Sequence, residues 1–365
     1  MRISPGLLFV LLVPFARGEE IVWTEASSLT LEGKAFADTV NPYDRLPRWA
    51  EGKVPDKVWE LGRQSSGVSV RFVTDATNVT IRCDIRAHKL ISGFSTGAGH
   101  VGVDVYGKVA DGSYRYVCNI NDKARPATGT GAYQTRGSFR WQPGREALVY
   151  FPMRSEVTSL KIGVPKGFSV SPAPPRGRKP VVHYGTSIVH GGLSTRPGIM
   201  FAAVEGRVAG IEIVNLGFSG SGKLEPEMVD VLAAVDASLY ILDCTWNVAA
   251  PTLTARLGKF VRALVAKRPD TPILLCACCS GDLKDATDAV GHPVAENTRR
   301  TKEIYEKLCA ESPDYARLLH YLPNEGMLPQ DGDATVDHIH PNDYGHRFMG
   351  RVYGEKIRSI LGEKK

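Results

Sequence analysis

The sequence predicts two joined folds: an all-β sandwich in the N-terminal half and an α/β domain with a doubly wound parallel sheet in the C-terminal half. Three observations predict this. The 365 residues exceed one ordinary domain of about 150 residues. Up to Val164 apolar residues alternate with polar ones over short runs, the period of half-buried strands. From Val181 onward short apolar runs alternate instead with segments of helical period. Hydrophobic residues make up 43% and charged residues 23%, enough for a packed core and against a disordered chain.

Residues 1–18 read as a signal peptide. Arg2 gives a positive start, Gly6 to Phe15 an apolar stretch, and Ala16-Arg17-Gly18 small residues at −3 and −1 of a cleavage site. The stretch is broken by Pro14 and falls short of the roughly 20 apolar residues of a membrane span. With no Cys at the cleavage site, no membrane anchor is expected, and the mature protein is expected to be secreted or periplasmic. Loss of Arg2 and Arg17 takes the formal charge from +6 to +4. No Lys/Arg run is dense enough for a nucleic-acid arm, so nucleic acid is not an expected partner.

The β domain is expected over 19–164. Ser69–Val73, Val79–Cys83, Val101–Tyr106 and Leu148–Phe151 are its strand runs, separated by Gly, Asp and Asn breaks. Residues 165–180, PKGFSVSPAPPRGRKP, hold five prolines and read as a linker. The α/β domain follows over 181–365. Val181–Tyr184, Ile211–Val214, Leu239–Leu242 and Ile273–Cys276 are its buried strands. Leu257, Phe260, Val261 and Leu264, then Ile304, Tyr305 and Leu308, mark helix faces. Seven cysteines are too few and of the wrong parity for a disulfide framework. Cys276, Cys278 and Cys279 read as buried apolar residues. Cys83 and Cys118 are placed to pair or to stay free, and no CxxC points to zinc.

Ligands of such a sheet sit at the carboxyl ends of its strands. After the first strand comes Gly185-Thr186-Ser187, where a tight strand-to-helix turn would expose a serine beside free N–H groups. The alternative is a capping serine. Val189 replaces the second Gly of a GxSxG elbow. After the second strand, Gly217 to Lys223 fits either a GxxxxGK phosphate loop or a turn presenting an N–H such as that of Gly217. Leu224 stands where the phosphate loop needs Ser or Thr. After the third, Asn247 offers a side-chain amide, and Asp243 is a rival acid. Before the final helix, Asp337-x-x-His340 supplies a general base and the carboxylate that orients it. A metal site from Asp337, His338 and His340 is the competing reading, although neighbours two apart on an extended loop point oppositely. All four stretches fall on one rim, which favours acyl transfer.

Together Gly185-Thr186-Ser187, Gly217 with Gly220, Asn247 and Asp337-x-x-His340 resemble the four blocks of SGNH (GDSL-type) hydrolases. Gly102-Val103-Asp104-Val105-Tyr106 is similar to the GxDLY motif of the branch with an N-terminal β domain, with Val for Leu. Gly191-Gly192, Ser194 to Gly198 and Asn215 to Pro226 extend the likeness over nearly the whole mature chain. The resemblance implies an SGNH-type (flavodoxin-like) hydrolase domain with Ser187 as nucleophile, His340 as base and Asp337 as its partner. It also implies an oxyanion hole of the Ser187 and Gly217 N–H groups and the Asn247 side chain, with no metal and no cofactor. Thr186 replaces the family's usual Asp, and Thr245-Trp246 implies a bulkier pocket wall. Within this branch the resemblance is to carbohydrate acetylesterases such as acetylxylan esterase, with an acetylated polysaccharide or oligosaccharide as substrate.

Arg196 and Trp246 are the expected sugar contacts, with surface packing as the alternative for each. The β domain would bind polysaccharide or roof the site. The rival readings are a GDSL lipase or lysophospholipase, a non-catalytic carbohydrate-binding protein on the same scaffold, and a phosphate-loop nucleotide binder. Nothing in the sequence fixes the oligomeric state.

Overall fold

The computed structural model describes residues 19–87, 96–121, 131–279 and 294–362. The expected signal peptide lies outside the described residues. Two antiparallel sheets form the N-terminal half. The first has the order β1 (Ile21–Glu25), β9 (Ser155–Pro165), β4 (Asn78–Ala87), β7 (Gly131–Arg140). The second runs β10 (Val170–Pro172), β3 (Ser69–Thr74), β8 (Glu146–Tyr150), β5 (Val103–Lys108), β6 (Tyr114–Ile120), with β2 (Thr30–Glu32) also on β3. Alternation makes them a sandwich: Val79, Ile81, Cys83 and Ile85 of β4 turn inward to meet Val70, Phe72, Val105 and Val149.

Part of the expected linker belongs to this sandwich. Val170–Pro172 pairs with Phe72–Thr74, and Arg176 is ion-paired with Glu32. Three residues are enough for an edge strand, where the proline's missing N–H is tolerated. A short helix, Asp56–Gly62, also appears in the N-terminal half, where no long helical pattern was read.

The C-terminal half is a five-stranded parallel sheet of order β12 (Ile213–Gly217), β11 (Val181–Gly185), β13 (Leu239–Asp243), β14 (Ile273–Cys276), β15 (Leu319–Leu322). Its strands are buried on both faces and so are nearly continuous apolar runs. Chain order reverses between β11 and its two neighbours, so the crevice of the sheet opens where β11, β12 and β13 end. Helices Ala250–Lys267 and Val294–Glu311 cover one face, and helices Phe201–Ala209 and Asp343–Ile360 pack together on the other. Strand β15 is missing from the sequence reading. Its four residues, Leu-His-Tyr-Leu, carry too little pattern to separate them from the preceding helix.

Among the described residues no helix is long and apolar enough to cross a membrane. All seven cysteines are free, and Cys83 and Cys118 lie on different sheets of the sandwich.

Candidate active site

Gly185 ends β11 and Ser187 follows it. No helix starts there, in contrast to the expected strand-to-helix turn. The chain coils instead through bonds from His190 N to Thr186 O (3.0 Å), Gly191 N to Ile188 O (3.0 Å) and Gly192 N to Ser187 O (2.7 Å). Gly191, at φ 88°, breaks any helix. Ser187 remains half-buried, with its side chain at the rim.

The segment before the last helix brings the partner groups. Asn342 caps that helix by accepting from Tyr344 N (3.0 Å) and Gly345 N (3.1 Å), which anchors the turn carrying His340. His340 Nε2 lies 2.8 Å from Ser187 Oγ, and His340 Nδ1 lies 2.8 Å from Asp337 Oδ2. Asp337 Oδ1 accepts the backbone N–H groups of His340 (2.7 Å) and Ile339 (3.1 Å). Burial alone would raise the Asp337 carboxyl, but these donors and the His340 ring outweigh it and hold it below the usual range. A hydroxyl, an imidazole and a fixed carboxylate in this order can carry the hydroxyl proton away as the oxygen attacks.

Gly192 makes room for the contact. A Cβ there would come within 2.9 Å of His340 Cδ2 and 2.8 Å of Ser187 O. Its carbonyl accepts from His346 Nε2 (2.9 Å), whose Nδ1 accepts Phe201 N–H (3.2 Å). The Phe201 N–H can only donate, so the His346 proton sits on Nε2. Burial pushes that ring down to about 4, and it stays neutral.

The Gly-rich segment is assembled differently from the expectation. Gly217 N–H donates to Asn215 Oδ1 (2.8 Å), and Gly217 is fully buried against the His190 backbone. It does not join the rim. Ser221 N bonds to Phe218 O (3.0 Å), Gly220 has φ 71°, and Ser219 is not among the residues of positive φ. These are the marks of a type II turn with glycine at its third position. Gly220 is exposed, and no described group accepts its N–H. The turn lies against Ser187's own loop: Phe218 N donates to Gly185 O (3.0 Å), and Ser219 N donates to His190 Nδ1 (3.3 Å). Asn247 closes the same turn, its Nδ2 donating to Ser221 O (2.6 Å) while the residue stays half-buried. The signal for Gly220 was in the sequence, but which of several glycines has a spare N–H depends on bonds across the fold. A phosphate loop does not fit, because Leu224 follows at φ 54° and the next helix, Met228–Ala233, begins four residues later.

Both expected sugar contacts are corrected. Trp246 is 3% exposed and packs in the core, its Nε1 3.4 Å from Cys279 Sγ, because the chain turns it inward after β13. It adds no bulk to an outer wall. Arg196 is held by Asp104 Oδ2 (2.6 Å) and Tyr106 OH (2.8 Å), with its guanidinium 3.9 Å from the centre of the Tyr116 ring. Its charge is committed to the β domain. Asp243 is buried on the helix side, accepting from Tyr353 OH (2.9 Å), and does not reach His340. His338, at φ 64°, points to solvent. Among the described residues no three His, Cys, Asp or Glu side chains gather as metal ligands.

The model of the GDSL-like lipase/acylhydrolase family matches residues 178–358, and the model for the GxDLY N-terminus of SGNH-type esterases matches residues 21–170. The chain belongs to the GDSL-type hydrolases. As a GDSL-type chain it also has solved structural relatives. A GDSL-like lipase candidate from Bacteroides ovatus superposes with TM-score 0.83 at 28% identity, covering 94% of this chain and 99% of the other. A salicylyl acyltransferase from a tetracycline biosynthetic pathway gives TM-score 0.71 at 19% identity over 95% and 98% of the two chains. An acetyl xylan esterase from the rumen bacterium Butyrivibrio proteoclasticus gives 0.54 at 12% over 93% and 99%. The last two identities speak to the fold alone. No curated protein sequence matches this GDSL-type chain.

Proposed function

We propose that the protein is an exported serine esterase that removes acetyl groups from plant polysaccharides or oligosaccharides. The observation that carries the reading is the chain of contacts Ser187 Oγ, His340 Nε2, His340 Nδ1 and Asp337 Oδ2, each link 2.8 Å. Ser187 attacks the acyl carbonyl as His340 takes its proton, and Asp337 stabilises the imidazolium. The oxyanion is received by the Ser187 N–H, the Gly220 N–H and the Asn247 amide, with Gly220 in the role first expected of Gly217. His340 then protonates the leaving sugar oxygen, and water, deprotonated by His340, releases acetate.

The choice of an acetylated carbohydrate draws support from the carbohydrate esterases that share the fold, the acetyl xylan esterase among them. Export rests on the N-terminal segment. The deciding experiment measures acetate released from acetylated xylan by the wild type and by Ser187→Ala. Release by the wild type and none by the variant supports enzyme and substrate class together. Hydrolysis of aryl acetates without release from xylan would keep the serine chemistry and reject the substrate. A rate that climbs from aryl acetate to aryl decanoate would move the reading to a lipase, and a wild type inert toward every ester would leave the carbohydrate-binding alternative.

A further inference from the structure

The turn that offers Gly220 is gripped from outside its own domain. Arg154, in the loop just before β9 of the sandwich, donates through Nη1 to Ser219 Oγ (2.6 Å). Ser219 Oγ lies 3.1 Å from His190 Nδ1, and Arg154 Nη1 itself lies 3.4 Å from that nitrogen. The Ser219 N–H can only donate, so His190 Nδ1 is an acceptor and its proton sits on Nε2. Ser219 Oγ, already accepting from Arg154, is free to donate to His190. All three residues are buried. Burial together with the charges of Arg154 and Arg45 drives the His190 ring well below its ordinary range, so it remains neutral.

What this grip controls follows from turn geometry. In a type II turn the central peptide joins the second and third residues, here Ser219 C=O and Gly220 N–H. Type I and type II turns differ by a half-rotation of that one peptide. Rotated, it would present the Ser219 carbonyl where the Gly220 N–H stands, replacing a donor by an acceptor. Glycine permits type II without requiring it. Ser219 is therefore the residue that must be fixed, and it is fixed at both its N–H and its hydroxyl.

We propose that Arg154, acting through Ser219 and His190, is a positioning residue that locks the Ser219–Gly220 peptide with its N–H toward the oxyanion. The sandwich then takes part in catalysis without touching substrate. Among the described residues no carboxylate lies within ion-pair distance of Arg154, so its positive charge stays uncompensated on the side where negative charge develops. Arg45 adds to this from the same half, donating to Asn215 O (3.0 Å) and Gly217 O (2.9 Å) at the end of β12. The inference rests on the serine-esterase reading above.

The test compares the full-length wild type with Arg154→Met, Arg154→Lys and Ser219→Ala on 4-nitrophenyl acetate. Reactive serines are counted with a fluorophosphonate, and affinity is measured for benzeneboronic acid, which binds as a tetrahedral anion. Arg154→Met and Ser219→Ala should each lose about tenfold to a hundredfold in kcat per reactive serine, with KM held within about threefold. Boronate affinity should fall in step with kcat, and Arg154→Lys should regain most of the loss. Turnover per reactive serine within about threefold of wild type in both variants would overturn the proposal. So would a loss confined to the number of reactive serines, which marks a residue that only holds the fold. If Arg154→Met does not fold, Ser219→Ala decides by the same criteria. A wild type that neither takes the fluorophosphonate nor cleaves the ester would sink the esterase reading and this proposal with it, whereas an active wild type with unchanged variants sinks the proposal alone.

Discussion

At position 192 the space for a methyl group is already taken by His340 and the Ser187 carbonyl. Gly192 has no positive φ, so Gly192→Ala carries no backbone strain and acts by crowding alone. The His340 ring would have to give by several tenths of an ångström, enough to lengthen its contact with Ser187. We expect kcat/KM on an aryl acetate to drop by about tenfold or more, and the melting temperature to fall as well, because the Ser187 carbonyl is backbone and must also shift. An unchanged rate would mean that the ring moves without consequence. Another single residue governs the pH dependence of stability. His183 is buried with Nδ1 2.9 Å from Glu205 Oε1 and Nε2 3.7 Å from Asp243 Oδ2, while Tyr353 OH also bonds Asp243. Burial lowers its affinity for a proton, but the two carboxylates outweigh that and raise it to about 9. A folded-state value above the ordinary 6.5 means the stabilisation is complete below pH 6.5 and is lost as the pH climbs to about 9. Burial also raises the Glu205 carboxyl, which acts in the same direction. Urea midpoints at pH 6 and pH 9.5 should therefore fall for the wild type and fall less for His183→Gln; equal slopes would remove His183 from the account.

Among the elements, the last helix, Asp343–Ile360, ties the site to the fold. Asn342 starts it, and Gly350 and Gly354 let it lie directly on Val204 and Val208 of helix Phe201–Ala209. A Cβ at Gly354 would stand 2.6 Å from Val208 Cβ. Alanine is the better helix former by about 1 kcal/mol, yet overpacking costs about 1–3 kcal/mol, so crowding should win in Gly354→Ala. A lower urea midpoint with an unchanged slope is the expected result, and a higher midpoint would show that the two helices separate freely. Much of this scale was legible from sequence. Four of the five strands of the parallel sheet, β11 to β14, and both outer helix faces were visible because burial on two faces, or on one stripe, leaves a pattern in the chain itself. The hydrogen-bonded line of Ser187, His340 and Asp337 was legible too, because a hydroxyl after the first strand and an Asp-x-x-His before the last helix fall at one rim of the sheet. Strand β10 is too short to leave such a pattern, and β15, as long as β14, breaks its apolar run with His320 and a half-buried Tyr321. Gly217, Arg196 and Trp246 were misread because their roles are set by partners elsewhere in the chain. Asn215 consumes one N–H, Asp104 holds one guanidinium, and the core near Cys279 takes in one indole.

Across the whole molecule, the GxDxY motif of the sandwich is a clasp on the hydrolase domain. Asp104 is fully buried and accepts from Arg196 Nη1 (2.6 Å), Gly198 N (2.8 Å) and Asn119 Nδ2 (2.8 Å), while Tyr106 OH donates to Gly198 O (3.1 Å). Arg207 from the hydrolase domain lies 4.4 Å from the centre of the Tyr106 ring. Ser66 Oγ to His190 O (2.9 Å) and Gly33 N to Glu212 Oε1 (2.8 Å) extend the seam. Removing one partner of a buried, hydrogen-bonded charge costs about 3–5 kcal/mol, largely because the other is left unpaired. Arg196 keeps some exposure, which sets Asp104→Ala near the lower end of that range. The consequence should be separable from global unfolding. The sandwich has a core of its own, while Leu46, Ala50, Val54, Val58 and Leu61 of the N-terminal half pack into a core of the parallel-sheet domain and keep the halves attached, so a seam loosened at Asp104 frees Arg154 from Ser219 before either core melts. In a urea titration of Asp104→Ala, ester hydrolysis should vanish at a lower concentration than the circular dichroism signal, whereas in the wild type the two midpoints should lie close together. Coincident midpoints in the variant would mean that the two halves unfold as one unit and that Asp104 serves stability alone.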